Sequence, residues 1–268
     1  MYQSHWGLRE SPFRDCLDSQ FFYLSPTHEE ALARLQFLVD QRRRVGLLMG
    51  PAGSGKSLVL EILAAGLRRA GKVVARLNLF GLEPTEMLWT LAAELGCNLD
   101  TTDSLAVLWR AISDRLVEYR YQQIDTVVLI DAADQALRSL VPHLTRLAKI
   151  DCSPQSRLTL VLSGERERMG RLGDGLLRLA ELRIDLEPWE AGDVEGFLKT
   201  SLASAGCPEA VFAEPAIARL HELSHGIPRQ VRQLADLALM AGAGRELRQI
   251  DADVVESVYH ELSPIEVG

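Results

Sequence analysis

Residues 50 to 57 read Gly-Pro-Ala-Gly-Ser-Gly-Lys-Ser. They follow the apolar run Val45-Gly46-Leu47-Leu48-Met49 and lead into Lys56 to Ala70, a stretch of helical periodicity that Gly71 closes. The chain must therefore pass from a strand through a glycine-rich turn into a helix, and few folds accommodate that with a lysine and a serine at the turn's end. Glycines let backbone N–H groups converge into a concave anion nest, to which the helix N-terminus adds its partial positive charge. Lys56 is placed to reach β- and γ-phosphates, and the Ser57 hydroxyl to bind Mg²⁺. Gly50, Pro51, Ala52, Gly53, Ser54, Gly55, Lys56, Ser57 and the adjoining Leu58 form the expected nucleotide-contact set, with ATP and Mg²⁺ as ligands. The plainer alternative is a glycine-rich turn that merely starts a helix.

The remaining pattern is one of alternation. Val73–Leu77, Thr126–Ile130, Leu158–Leu162 and Leu182–Leu186 are further short apolar segments, and helical stretches separate them. Before the first strand, Ser25-Pro26 offers an N-cap and a first-turn proline for a helix over Glu29–Gln41. Pro84–Leu95 and Ser104–Tyr119 are amphipathic. Five buried strands with interposed helices predict an αβα sandwich around a five-stranded parallel sheet. Beyond Pro188 the strands stop. Asp193–Ala205, Pro215–Ser224, Pro228–Ala241 and Ala252–Leu262 read as helices, a small all-helical domain over 189–268 after a nucleotide-binding domain over 1–188. With 268 residues, 47% of them hydrophobic, the chain can bury cores for both.

The third strand ends at Asp131, where a parallel sheet delivers functional side chains, so this carboxylate is the expected second Mg²⁺ ligand; a helix N-cap is its plainer role. The next residue is Ala132, which cannot take a proton from water. Asp134, one turn further on, is either a displaced acid facing the same crevice or a solvated helix start. Leu160-Val161-Leu162-Ser163-Gly164 ends in a serine that is either a polar sensor or a turn residue.

The opening Tyr2–Phe13, then Phe22-Tyr23-Leu24-Ser25-Pro26-Thr27-His28-Glu29-Glu30-Ala31-Leu32, then the glycine-rich loop, resemble AAA+ ATPases of the ExeA/GspA type. Members of that family assist assembly of type II secretion machinery, and their relatives include pilus-biogenesis ATPases and the TniB- and MuB-like transposition ATPases. The resemblance implies an AAA+ P-loop NTPase whose helical domain is a lid, with Mg-ATP held between the two and ATP-driven assembly into a homo-oligomer. It implies Ser163 as γ-phosphate sensor and Asp131 as the first acid of a D-E pair whose glutamate is replaced by Ala132. It implies that Arg229, in His225-Gly226-Ile227-Pro228-Arg229, reaches back to the nucleotide, the alternative being a solvated helix end. Phe13, Tyr23 and His28 fall in segments (residues 1–28) that form the adenine side of the pocket in that family, though each can instead pack the N-terminal segment. Arg178 and Arg183, near the last strand, are candidates for an arginine finger acting on a neighbouring subunit, and either is also an ordinary surface charge.

Net charge is −8, so the whole molecule does not attract nucleic acid, and only local clusters such as Arg42-Arg43-Arg44 or Arg166, Arg168 and Arg171 can. Glu165 and Glu167 dilute the second cluster, while Glu165 is also a remote candidate for an acid at the site. Cys16, Cys97, Cys152 and Cys207 are far apart, which supports neither zinc nor a disulfide framework. No apolar run approaches the ~18 residues of a membrane span, and the N-terminus lacks a signal core, so a cytoplasmic location is expected, without the membrane segment and cell-wall extension of longer secretion relatives. Three functions fit: an ATP-driven assembly factor with an unidentified protein partner, a DNA-binding regulator of the transposition kind, or a nucleotide-gated scaffold with little turnover.

Overall fold

The computed structural model describes residues 2–13 and 23–262; Phe22 and Cys16 lie outside them. The elements run α1 (Tyr2–His5), α2 (Pro26–Asp40), β1 (Val45–Met49), α3 (Lys56–Arg69), β2 (Val73–Asn78), α4 (Pro84–Glu94), α5 (Leu105–Tyr121), β3 (Thr126–Asp131), α6 (Val141–Ala148), β4 (Leu158–Gly164), α7 (Asp174–Leu177), β5 (Leu182–Asp185), α8 (Ala191–Ser204), α9 (Glu214–Ser224), α10 (Pro228–Gly244) and α11 (Ala252–Leu262). Strand order in the sheet is β2-β3-β4-β1-β5, with every pair parallel.

The chain divides into two compact units. One, His28–Pro51 with Lys56–Leu186, is built on the sheet. Successive strand residues point to opposite faces, and in β3 both faces are apolar and buried. Val128 and Ile130 join Leu88, Leu91, Trp109, Ile112 and Leu144 of α4, α5 and α6, whereas Val127 and Leu129 join Leu35, Leu38, Leu60, Leu63 and Leu67 of α2 and α3. Each such leucine contributes about 1.5–3 kcal/mol on burial. Gly46 in β1 permits close approach of α2, since a methyl there would lie 2.9 Å from a Leu38 terminal carbon.

At the opposite end of the strands from the phosphate loop, Asp125 accepts hydrogen bonds from Arg42 Nε (3.2 Å), Lys72 Nζ (3.2 Å) and a terminal nitrogen of Arg157 (2.7 Å). Burial pushes this carboxyl up, but the Lys72 and Arg157 bonds and the nearby Lys72 and Arg42 charges outweigh it and hold it below the usual carboxylate range. A depressed folded-state pKa stabilises the fold above the unfolded value, near 3.9, and that contribution is lost as pH falls through the folded one. Asp125→Asn is therefore expected to destabilise the chain by on the order of 1–3 kcal/mol at pH 7 in urea unfolding, and the difference should shrink as the pH is taken below about 4.

The other unit comprises Met1–Thr27, Ala52–Gly55 and Glu187–Gly268. Its core is a cluster in which Trp6, Leu8 and Phe13 from the N-terminal segment pack among Phe197, Leu198, Leu220, Leu234, Leu239 and Val255 of α8 to α11. The N-terminal segment thus groups with the C-terminal helices, where a division at residue 188 would have put it with the sheet. The physical reason is apolar burial: the Trp6 indole N–H also donates to the Leu239 carbonyl at 2.9 Å, which satisfies its polar end inside that core. Trp189 anchors the start of the C-terminal segment, its indole N–H donating to Ser25 Oγ at 3.0 Å and its ring packed edge-on to Tyr23.

Candidate functional site

Parallel strands place their carboxyl ends along one edge of the sheet, and four sequence-predicted groups of the sheet unit fall there. Gly50 and Pro51 follow β1, and Lys56 and Ser57 open α3. The Lys56 ammonium donates to the carbonyls of Gly50 (2.9 Å) and Pro51 (2.8 Å), which fixes the loop's entry over the first turn of the 14-residue helix α3. Gly53 and Gly55 have φ of +82° and +95°, conformations that L side chains rarely adopt, so these glycines let the loop turn its N–H groups inward. Leu58 is half-buried on α3.

Asp131, 6% exposed, ends β3, and Ser163, fully buried, lies near the end of β4 beside it. The Ser163 hydroxyl donates to Asp131 Oδ1 at 2.6 Å, and the Ala132 N–H donates to the same oxygen at 2.9 Å. Ser163 is thus tied to the acid rather than turned out as a loop residue. Ala132 adopts a left-handed conformation (φ 51°, ψ 38°), after which Ala133–Gln135 make a single 3₁₀ turn. That turn tucks Asp134 inward to 2% exposure, so it is not a solvated helix start. Glu165, by contrast, pairs with Arg168 on the surface at 3.3 Å.

The residues present fit Mg-nucleotide. The loop combines positive-φ glycines with a helix N-terminus, and among the described residues no group of three or more His, Cys, Asp or Glu side chains can hold a metal unaided. Magnesium characteristically takes one or two protein ligands and completes its shell with phosphate and water. Ser57 and Asp131 are the side chains that would hold it, and Lys56 the cation for the phosphates.

In the helical unit, Arg229 lies at the start of α10, and its backbone N–H donates to the Gly53 carbonyl at 3.2 Å. A methyl on Gly53 would meet Arg229 Cβ at 2.9 Å. The Arg229 side chain is exposed, and no hydrogen bond or ion pair engages it among the described residues. Phe13 is 4% exposed with its ring centroid 5.6 Å from Phe197 and 6.4 Å from Phe212, a packing role within the helical core. Tyr23 packs edge-on to Trp189 and Phe197, and burial, then the Asp193 carboxylate, raises its phenol above the ordinary range. His28, in the sheet unit, is buried on α2. Phe13 and His28 are thus buried and Tyr23 is half-buried.

Arg178 pairs with Asp174 at 3.4 Å, both highly exposed on α7. Arg183 is exposed on β5 and lines a cavity of about 320 Å³ with Leu47, Met49, Arg166, Met169 and Asp185. The arginine clusters are largely neutralised: Arg42 by Asp125, Arg43 and Arg44 by Glu181, and Arg166 by Asp185 at 2.9 Å. Sequence reading missed Gly226, Trp189 and Gly164. Gly226 (φ +67°) accepts the Trp189 N–H at 2.8 Å, and a methyl on it would be driven into the Trp189 carbonyl oxygen. A glycine in His-Gly-Ile-Pro-Arg was the available signal, and only its contact with a tryptophan 37 residues away gives it meaning.

A parallel sheet in the order 2-3-4-1-5, with a glycine-rich phosphate loop after β1 and an acid ending β3, defines a P-loop nucleotide-binding protein. The family described as "AAA domain" matches residues 39–172, half of the chain, and the chain belongs to that family. It is an AAA+ ATPase-family chain related to the general secretion pathway protein A of Aeromonas hydrophila, with 30% identity over 269 aligned residues covering 99% of this chain and 49% of that protein. The chain therefore spans about half the length of that curated relative. Among solved structures it is similar in fold to the Aeropyrum pernix ORC1 protein in complex with DNA (TM-score 0.67, 18% identity, 95% of this chain and 69% of that one). It is likewise similar to Cdc6p from Pyrobaculum aerophilum (TM-score 0.65, 17% identity, 98% and 72%) and to the Thermotoga maritima RuvB Holliday junction branch migration motor (TM-score 0.59, 17% identity, 94% and 74%). No helix among the described residues is long and apolar enough to cross a membrane.

Proposed function

We propose that this chain binds Mg-ATP and works as a cytoplasmic assembly or remodelling factor of the secretion-pathway type, with the bound nucleotide acting mainly as a switch and hydrolysis slow. The observation that carries the reading is the state of the sheet edge: Asp131 is held by Ser163 beside a complete phosphate loop, while the next position is alanine. In this reading Lys56 would hold the phosphates, Ser57 and Asp131 would hold the metal, and Ser163, bonded to Asp131, would report on the γ-phosphate. Mg²⁺, when bound, neutralises the charge shared by the β- and γ-phosphates. Arg229, whose guanidinium is exposed and unengaged among the described residues, is the forked cation that this reading assigns to the nucleotide. Homo-oligomerisation, with Arg183 offered to a neighbouring copy, belongs to the same reading, and so does an unidentified protein partner. A DNA-regulator role is less favoured, because Arg42, Arg43, Arg44 and Arg166 already have carboxylate partners.

The test compares phosphate release from the wild type and from Ala132→Glu, with ATP affinity measured on both. Residue 132 already stands in the left-handed region, so glutamate meets the backbone conformation that alanine meets. Restoring an acid there is expected to raise turnover about 10²-fold at similar affinity. Equal rates would refute the assignment of slow hydrolysis to Ala132, and salt-sensitive duplex binding that requires ATP would move the function to the DNA class.

A further inference from the structure

Asp134 has an environment that a surface carboxylate does not need. It is 2% exposed, and its Oδ2 is buried with no hydrogen-bond partner among the described residues. The donors nearest in sequence and strand are already committed, since both the Ser163 hydroxyl and the Ala132 N–H bond Asp131 Oδ1. Burying a carboxylate without a partner costs several kcal/mol, more than a neutral side chain would cost at the same place. The fold also makes room for it. A methyl on Gly164 would stand 2.6 Å from Asp134 Oδ1 and 2.7 Å from the Met169 sulfur, so the missing side chain at 164 is the cradle in which the carboxylate sits.

That cradle has a definite address. In the ladder between β1 and β4, Gly164 is the register partner of Met49, the residue immediately before Gly50 and the phosphate loop. Asp134 therefore reaches the end of β4 next to the strand that carries the loop, roughly one strand spacing of ~4.8 Å away. The left-handed Ala132 and the 3₁₀ turn bring it there, two residues after the position where an acid is absent.

We infer that Asp134 is a catalytic carboxylate that takes over the role of the acid missing at 132. This rests on the reading of the chain as an ATP-binding protein. In the step assigned to it, the oxygen of a water molecule bonds to the γ-phosphorus, the bond from that phosphorus to the bridging oxygen breaks, and ADP leaves with the electron pair. The Asp134 carboxylate takes the water's proton and releases it to solvent. A base supplied from two residues beyond 132 would give the slow hydrolysis proposed above.

The test uses Asp134→Asn, which keeps shape and volume, alone and combined with Ala132→Glu, on the full chain. Four quantities are measured: ATP affinity, phosphate release, the urea midpoint of the nucleotide-free protein, and the rate of the double variant. The expected result is phosphate release down about 10²-fold, ATP affinity within a few-fold of the wild type, and an apo urea midpoint equal to or above it. The double variant should release phosphate far faster than Asp134→Asn alone. Wild-type turnover in Asp134→Asn, a wild type that binds ATP yet releases no phosphate, or a lowered apo midpoint that marks Asp134 as structural would each overturn the inference while leaving the ATP-binding reading intact. A wild type that fails to bind ATP would instead remove both.

Discussion

Replacing Lys56 with alanine is expected to weaken ATP binding by about 10²-fold or more, and with it any stabilisation of the fold by nucleotide. The ammonium is the one side-chain cation within the phosphate loop, and charge-assisted hydrogen bonds of this kind contribute about 1.5–3 kcal/mol each. It also donates to the Gly50 and Pro51 carbonyls, so its removal loosens the loop as well as discharging it. Linkage makes the effect easy to read. At 100 times Kd a ligand stabilises the native state by about 2.7 kcal/mol, which saturating Mg-ATP should give the wild type, whereas Lys56→Ala should show almost no shift at the same concentration. An unfolding midpoint that rises equally in both proteins would show that the nucleotide sits elsewhere.

The second large effect is structural. Gly226→Ala is expected to destabilise the helical unit by about 2–4 kcal/mol, combining the cost of a side chain at φ +67° with overpacking against a backbone that cannot yield. The added methyl would displace the Trp189 carbonyl, which also accepts a hydrogen bond from His221 Nε2 at 3.0 Å, and would strain the Trp189 N–H bond to Gly226. Trp189 in turn holds Ser25 and Tyr23. Urea unfolding of the wild type and the variant, followed by tryptophan fluorescence, measures the loss directly. A midpoint unchanged within error would mean that the His225–Pro228 turn has room to move.

Much of the sheet unit was legible in the sequence because its signals are local. Short apolar runs bounded by helical periodicity gave five strands whose observed limits differ by a residue or two, as where β3 takes in Asp131 and β4 runs on to Gly164. The glycine-rich loop declared itself through residue type and spacing alone. What stayed hidden depends on contacts between distant residues. Nothing in Ala-Ala-Asp-Gln tells that the aspartate is buried, because its burial is set by a glycine 30 positions later. Phe13 reads equally as a base-stacking ring or as core, and its burial against Phe197 and Phe212 is fixed by residues some 200 positions away. The arginine triplet at 42–44 looks like a basic patch until Asp125 and Glu181 are placed beside it.

The bond from the Arg229 amide to the Gly53 carbonyl involves only main-chain atoms. Alanine scanning is blind to such a joint: Arg229→Ala deletes the guanidinium and leaves the amide where it was. A genetic screen of this region would therefore report on the charge and stay silent on the main-chain bond. A proline at 229 would erase the donor at a helix start that already accepts one at 228, and so would separate the loop tip's mechanical attachment from its electrostatics.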